Sequence, residues 1–333
     1  ATNVIMRSKI DYKKKTVDEL MTMLNDAFIQ VRLKARKELS DRANGMVKSK
    51  KPDTITPMVL AMIEKGSVQR RTNALEYIGE VKHSIDMHVD ILGKMVRNTA
   101  EPFNVRVAAA STLGARVFED AALPYYNDIL SLVLEKRSEA DPFGDVDNKL
   151  AKALQAISTN SKTQPLDEKC NADKKLLFKV ANKLLDHKRQ NTRKLGIKIA
   201  LGISKEDFPI IAENFLYVLY DKATDYHTYS SAIVTDGITL LANLDVKEGL
   251  DLLYEGIFHR GGKWGFKYRA LIKTLPLYGA HAKPYIPKFE AHANINKPGD
   301  RFTPAWQNAV KKINADKNPK KLISVEEIIR ARK

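Results

Sequence analysis

Apolar residues recur at intervals of three and four positions along almost the whole chain, which is the spacing of one face of an α-helix. Almost no segment alternates apolar and polar residues in the manner of a strand. The apolar stretches form pairs separated by short breaks. The first helix of each pair is predicted around residues 17–24, 55–63, 91–96, 129–133, 176–184, 211–219 and 250–257. The pattern predicts an all-α protein built of helix pairs.

The second helices share a short motif, an arginine followed three positions later by a small residue. It is carried by Arg32 and Ala35, Arg71 and Ala74, Arg106 and Ala109, and Arg193 and Gly196. The first three arginines are 39 and 35 residues apart, and the fourth lies 87 residues further on, which is room for two units. A period near 40 with two helices per unit is the sequence signature of an α-solenoid.

The pattern Val-Arg-x-x-Ala at 31–35 and 105–109, followed by an apolar residue and glycine at 113–114, resembles the second helix of HEAT repeats. The resemblance covers most of residues 16–283. It implies a right-handed α-solenoid, an armadillo-type fold of about seven HEAT-like hairpins, with the second helices on its concave side and atypical terminal caps. We expect a single solenoid domain over 1–333.

Residues 284–333 interrupt the repeat and are expected to form a Pro-rich loop followed by C-terminal capping helices. Ser324 and Glu327 have the spacing of a capping box at the start of the last helix. The chain begins at Ala1 rather than Met, which is compatible with a segment of a longer protein or with an exported, signal-cleaved chain. The compartment therefore stays open between the cytoplasm and export.

The arginines Arg32, Arg71 and Arg106 are interpreted as structural repeat residues. We expect each to bind neighbouring carboxylates or helix-end carbonyls within the stack, because arginine donates several hydrogen bonds in a fixed geometry. The small residue that follows each of them would let adjacent helices approach closely.

Composition adds a strong positive charge, with 56 Lys+Arg against 40 Asp+Glu and a formal net charge of +16. The excess lies in residues 1–50, 161–205 and 311–333, whereas residues 206–246 hold one basic and seven acidic side chains. This distribution favours a local basic patch over a continuous nucleic-acid track, and lysines that merely solvate the helices are the simpler interpretation. The candidate patch consists of Lys188, Arg189, Arg193, Lys194 and Lys198.

Residues 259–269 combine glycines, basic groups and aromatic rings. Backbone amides with Lys and Arg can cradle an anion, and aromatic rings can stack on a base or sugar. The segment matches neither the P-loop nor the dinucleotide fingerprint. The alternative interpretation is an inter-helix turn whose aromatic rings pack under the next helix pair. Its candidate binding residues are Arg260, Lys263, Trp264 and Lys267.

Motifs for catalysis are missing from the sequence, including Gly-x-Ser-x-Gly and His-Glu-x-x-His. Cys170 is the single cysteine, which excludes a disulfide framework and a zinc finger. The cluster His83, Asp86, His88 and Asp90 is interpreted as structural, with Asp86 as the N-cap of the following helix. We predict no metal, no cofactor and, because 18 consecutive apolar residues do not occur, no transmembrane segment.

The expected function is a non-catalytic interaction or scaffold module that binds a protein partner through its concave face or its basic patch. One alternative is a DNA-binding enzyme resembling the HEAT-like alkylpurine DNA glycosylases. That resemblance implies a basic groove, tryptophans near the lesion, for which Trp264 and Trp306 are candidates, and a catalytic Asp that no motif places. A second alternative is the binding of acidic polysaccharide by a secreted chain.

Overall fold

The computed structural model describes residues 10–83, 85–136, 145–159, 171–220, 230–258, 272–293 and 303–331. These residues belong to two compact units, Ala1–Leu176 (unit 1) and Leu177–Lys333 (unit 2). Within the described residues no β-strand occurs, and the only β-type pairing is an isolated parallel bridge between Val246 and Ile323. Nor is any helix among them long and apolar enough to cross a membrane.

Unit 1 is a series of helix pairs. Its helices are α1 (Val17–Met23), α2 (Ile29–Lys48), α3 (Ile55–Glu64), α4 (Val68–Ile78), α5 (Ile85–Arg97), α6 (Phe103–Leu113), α7 (Tyr126–Leu134) and α8 (Asp145–Thr159), with 3-10 turns at Tyr12–Lys14 and Arg116–Tyr125. Each odd-numbered helix packs against the even-numbered helix that follows it. The second helices α2, α4, α6 and α8 also pack against one another in succession. The predicted all-α architecture of stacked helix pairs is therefore confirmed.

Local sequence signals set where these helices begin and how closely they pack. Thr16 and Glu19 form a reciprocal capping box that starts α1. Ala35, Ala74 and Ala109 are fully buried at the helix contacts. Gly114 ends α6 against α8, where a Cβ would stand 2.5 Å from the Cα of Ala153, so glycine alone fits there.

Unit 2 continues the same pattern. It holds α9 (Lys174–Leu185) except for its first three residues, α10 (Gln190–Ala200), α11 (Ala212–Tyr220), α12 (Ser230–Asn243), α13 (Glu248–Phe258), α14 (Ile286–Ala293), α15 (Thr303–Ala315) and α16 (Val325–Arg330), with 3-10 turns at Phe208–Ile210 and Leu275–Tyr285. Helices α10 and α12, second members of consecutive pairs, lie side by side. The turn Leu275–Tyr285 packs against α12, α13, α14 and α15.

The C-terminal part of unit 2 corrects one expectation and confirms another. Residues 284–293 do not form a loop, because the 3-10 turn extends through Pro284 to Tyr285 and α14 begins at Ile286. Pro287 lies in the first turn of α14, where a missing N–H costs nothing. The capping box of Ser324 and Glu327 is present at the start of α16. Backbone hydrogen bonds from Lys247 to Ile323 (3.0 Å) and from Ile323 to Asp245 (2.9 Å) hold this end of the chain in place.

Candidate functional site

The repeat arginines all bind carbonyls at the end of the preceding first helix. Arg32 Nη1 donates to the carbonyls of Asp26 (2.7 Å) and Ala27 (3.1 Å), just beyond α1. Arg71 Nε donates to the Ile63 carbonyl in α3 (2.7 Å). Free carbonyls at helix ends need partners, and a guanidinium close to the negative end of the helix dipole supplies one.

Arg106 and Arg193 repeat this arrangement. Arg106 Nε donates to the Val96 carbonyl in α5 at 3.0 Å. Arg193 Nη1 donates to the carbonyls of His187 and Lys188, both at 3.1 Å, just beyond α9. In each case the second helix is tied to the end of its own hairpin partner.

Two of the arginines in unit 1 also hold a carboxylate from the next helix pair. Arg71 Nη2 lies 2.7 Å from Glu101, and Arg106 Nη1 lies 2.8 Å from both carboxylate oxygens of Glu135. The Arg106 side chain is only 8% exposed. A buried guanidinium that makes three charge-assisted bonds connects neighbouring hairpins strongly.

A groove of about 470 Å³ crosses the second helices α2, α4, α6 and α8 of unit 1. Apolar and charged side chains share its lining. The apolar lining residues are Ile29, Leu33, Val68, Val107, Ala108 and Val146, and the charged ones are Arg32, Arg36, Glu76, Asp145 and Lys149. Ile29 and Val68 are 58% and 40% exposed, so the groove presents two large aliphatic side chains to solvent.

Ion pairs fix the charged part of this groove. Arg36 of α2 pairs with Glu76 of α4 and, at 2.7 Å, with Glu80. Lys149 of α8 approaches the same Glu76 at 3.4 Å. Glu76 therefore lies between a cation from an earlier and a cation from a later second helix. The polar groups of the groove are held in position before any ligand arrives.

The predicted basic patch of unit 2 separates into two parts. Arg193 is engaged by the hairpin, and Arg189 is the N-cap residue of α10. Lys194 and Lys198 lie one helical turn apart on α10 and are half-buried, and Lys188 is exposed in the turn before it. No ion pair involving these three lysines occurs among the described residues.

A carboxylate on the neighbouring helix lies close to this patch. Asp236 of α12 interacts electrostatically with Lys198 and with Lys273. Burial raises the pKa of Asp236 above its ordinary value, although both lysines act in the opposite direction. A carboxylate between lysines was not predicted from the sequence, since no motif distinguishes Asp236 from other helical acids.

The remaining candidates have separate outcomes. Arg260, Lys263, Trp264 and Lys267 lie outside the described residues. Trp306 is fully buried in α15, where its Nε1 donates to Glu290 at 3.0 Å. A tryptophan in that position cannot stack on a nucleic-acid base, so its assignment to a lesion site is wrong.

The cluster near residue 86 is assembled differently from the prediction. Helix α5 begins at Ile85, so Asp86 lies inside its first turn and is not the N-cap. Asp90 accepts a hydrogen bond from Tyr125 Oη at 2.9 Å. No group of three His, Cys, Asp or Glu residues in the described part of the chain has the arrangement of a metal site.

The two histidines of this cluster lie near Asp53, a residue that the sequence did not single out. His83 Nε2 lies 2.6 Å from Asp53 Oδ2. Burial opposes the ionisation of Asp53, but hydrogen bonds from Thr56, His83 and Ile55 outweigh it and lower the pKa of this carboxyl. His88 is 2% exposed, and burial together with nearby His83 lowers its pKa.

Comparison with known proteins informs the fold. No protein-family model matches the chain, and no curated protein matches its sequence. The crystal structure of the Escherichia coli protein YibA is similar over 95% of this chain and 98% of that one, with 16% identity and a TM-score of 0.55.

Two further solved structures give TM-scores below 0.5. The complex of CpcE and CpcF of phycocyanin lyase from Nostoc sp. PCC7120 has 14% identity, 91% and 95% coverage of the two chains and a TM-score of 0.36. A designed armadillo repeat protein has 15% identity, 90% and 100% coverage and a TM-score of 0.28. The stacked helix pairs, together with the likeness to YibA, show that this chain has an all-α fold of stacked helical repeats.

Proposed function

We propose that this chain is a non-catalytic scaffold that binds a segment of a partner protein along the groove of unit 1. The observation that carries the proposal is a groove of about 470 Å³ that runs across four consecutive second helices and exposes Ile29 and Val68. Its volume is that of a ligand site, yet it spans several repeats, as a groove for an extended or helical segment must.

The lining of the groove supports a peptide ligand rather than a small apolar one. Ile29, Val68 and the half-buried Leu33 offer contacts for apolar side chains. Between them, the ion pairs of Arg36 and Lys149 with Glu76 hold polar groups in fixed positions. Groups that are already ordered lose little entropy on binding and give specificity for polar groups of the ligand.

Selection of random 12-residue peptides displayed on phage tests this proposal. We expect wild-type chain to enrich peptides whose binding protects α2, α4 and α6 from hydrogen exchange. The double variant Ile29→Asp/Val68→Asp should weaken those peptides about tenfold or more, because it places charge on the apolar contacts.

The matched control is Ile91→Asp, an aliphatic residue that is 38% exposed on first helix α5 and does not line the groove. It should leave peptide binding unchanged. Equal loss in both variants, or no enriched peptide at all, would contradict the groove as a binding site.

A second candidate function, binding of duplex DNA as in the HEAT-like glycosylases, is favoured by one observation in unit 2. Lys198 and Lys273 interact electrostatically with Asp236, and burial raises the pKa of this carboxyl, as is common for catalytic carboxylates. If several phosphates are bound, affinity for duplex DNA falls steeply with salt, and Lys194→Glu/Lys198→Glu abolishes it. Binding to a sulfated polysaccharide but not to DNA would favour the polysaccharide alternative instead. No binding to either at low salt would eliminate this candidate.

A further inference from the structure

The three repeat arginines of unit 1 differ in one respect. Arg71 and Arg106 each bind a helix-end carbonyl and a glutamate from the next helix pair. Arg32 makes the same kind of carbonyl contact through Nη1. Within the described residues, however, no carboxylate lies within ion-pair distance of Arg32, and its Nε and Nη2 have no hydrogen-bond partner.

The sequence explains this difference. Glu101, the partner of Arg71, lies five residues before the next repeat arginine, Arg106. The residue five positions before Arg71, which would be the corresponding partner of Arg32, is Gly66. The first repeat therefore has its arginine, Arg32. The second repeat has Gly66 at the position where the third repeat has Glu101, so Arg32 lacks the glutamate that pairs with Arg71.

Arg32 lies where a ligand can reach it. It is half-buried and lines the groove of unit 1 beside Ile29 and Val68, the two most exposed apolar residues of that lining. Asp26, in the turn that Arg32 caps, uses its Oδ1 to accept the Phe28 amide at 2.8 Å. Arg32 and the exposed apolar side chains of Ile29 and Val68 thus line one groove.

We propose that Arg32, with Ile29 and Val68, is the specificity-determining anchor of the groove and binds an Asp or Glu side chain that stands next to a large apolar residue in the partner segment. The carboxylate takes the place that Glu101 occupies on Arg71, and the apolar neighbour covers Ile29 and Val68. Arginine suits this task because its planar group presents parallel donors to a carboxylate. This inference rests on the proposed peptide-binding function of the groove.

The same display selection, run in parallel on three proteins, tests the inference. Wild type should enrich Asp or Glu within two positions of Leu, Ile or Phe. Arg32→Gln should still enrich the apolar residues but lose the acidic ones. Arg70→Gln, which removes an exposed arginine that lines a separate cavity with Met21 and Met58, should behave as wild type.

Synthetic peptides make the result quantitative. We expect an enriched peptide to bind wild type about five- to tenfold more tightly than its Glu→Gln or Asp→Asn counterpart, the scale of a partly exposed ion pair. That ratio should fall to about one for Arg32→Gln and be only partly retained by Arg32→Lys, which keeps the charge but not the parallel donors. A thermal melt of each variant shows that it is folded.

The outcomes separate this inference from the function on which it rests. Peptides that bind in the groove without an acidic preference, or whose preference survives in Arg32→Gln, would overturn the role of Arg32 and leave the groove as a peptide site. A selection that enriches no peptide would overturn both.

Discussion

Equivalent positions of the two units carry different surface chemistry. In unit 1, the residues that directly follow the repeat arginines are Leu33, Thr72 and Val107, and all three line the groove. In unit 2, the residue directly after Arg193 is Lys194. Five positions after the arginine, unit 1 has Lys37, Glu76 and Ser111, whereas α10 of unit 2 has Lys198. Both units have the same helical hairpins held by the repeat arginine, which we call the frame. The residues beside the arginine determine which side chains the second helices expose to a ligand.

The charges follow the same division. Residues 1–176 hold 29 Lys+Arg against 24 Asp+Glu, and residues 177–333 hold 27 against 16. On the second helices of unit 1, Arg36 and Arg106 are paired with glutamates, whereas Lys194 and Lys198 make no ion pair within the described part of unit 2. Paired charges orient a ligand, and unpaired lysines attract anions. In both units the repeat arginine binds a carbonyl at the end of the preceding first helix.

Replacing Arg106 by Leu should give the largest effect. The free energy of unfolding of unit 1 is expected to fall by about 2–3 kcal/mol, because a helix-end carbonyl and Glu135 lose charge-assisted bonds. Urea unfolding monitored by hydrogen exchange of α5, α6 and α7 measures this loss.

The control for that change comes from unit 2. Lys194→Ala/Lys198→Ala should alter stability by less than about 0.5 kcal/mol, because neither half-buried lysine makes an ion pair within the described residues. If replacing the two lysines lowers the free energy of unfolding as much as replacing Arg106, then the distinction between residues that hold the hairpins together and residues that only line the surface is wrong.

Arg32→Leu should have an intermediate effect of about 1 kcal/mol, since Arg32 gives up carbonyl contacts but no carboxylate. Arg71→Leu, which also gives up Glu101, should cost more. Parallel urea titrations of the two variants give the difference. Equal losses of stability would mean that Glu101 does not stabilise unit 1 through Arg71, and that the missing carboxylate at Arg32 has no effect on stability.

Much of the frame was predictable because it repeats. The helical periodicity of the apolar residues predicted the helix pairs, and the recurrence of Arg32, Arg71 and Arg106 predicted where the second helix of each pair lies. The correction at α14 came from Pro287, since a proline in the first turn of a helix and one that ends a helix look alike in sequence.

The surface chemistry was less predictable because it depends on which side chains meet. Glu76 lies 40 residues from Arg36 and 73 from Lys149, so no local pattern links them. Asp53 meets His83 across 30 residues. Gly66 is informative only once Glu101 is known to bind Arg71 in the following repeat.

Acid should act on unit 1 through His88. Burial and nearby His83 lower the pKa of His88 below its ordinary 6.5, with Asp53 opposing them. As the pH falls below 6.5, His88 becomes protonated in the unfolded chain before it does in the folded chain. The free energy of unfolding therefore decreases as the pH falls from 6.5 to the folded pKa of His88. His88→Leu should remove this part of the acid sensitivity in hydrogen exchange of α5. An unchanged pH profile would assign the sensitivity to other groups.

The smallest expected effect is a shift in the titration of Asp236 in unit 2, and its sign is opposite to that of His88. Because burial raises the pKa of Asp236 above 3.8, the folded state holds the proton more strongly, and this group's contribution to stability falls as pH rises through that window. Lys198 opposes the rise, so Lys198→Met should raise the pKa of Asp236 further, as measured by carboxyl-carbon NMR. Lys188→Met, which removes an exposed lysine outside that contact, should leave the pKa unchanged. A shift in neither variant would mean that Lys198 and Asp236 do not form one site, and the anion-attracting surface of unit 2 would then consist of independent lysines.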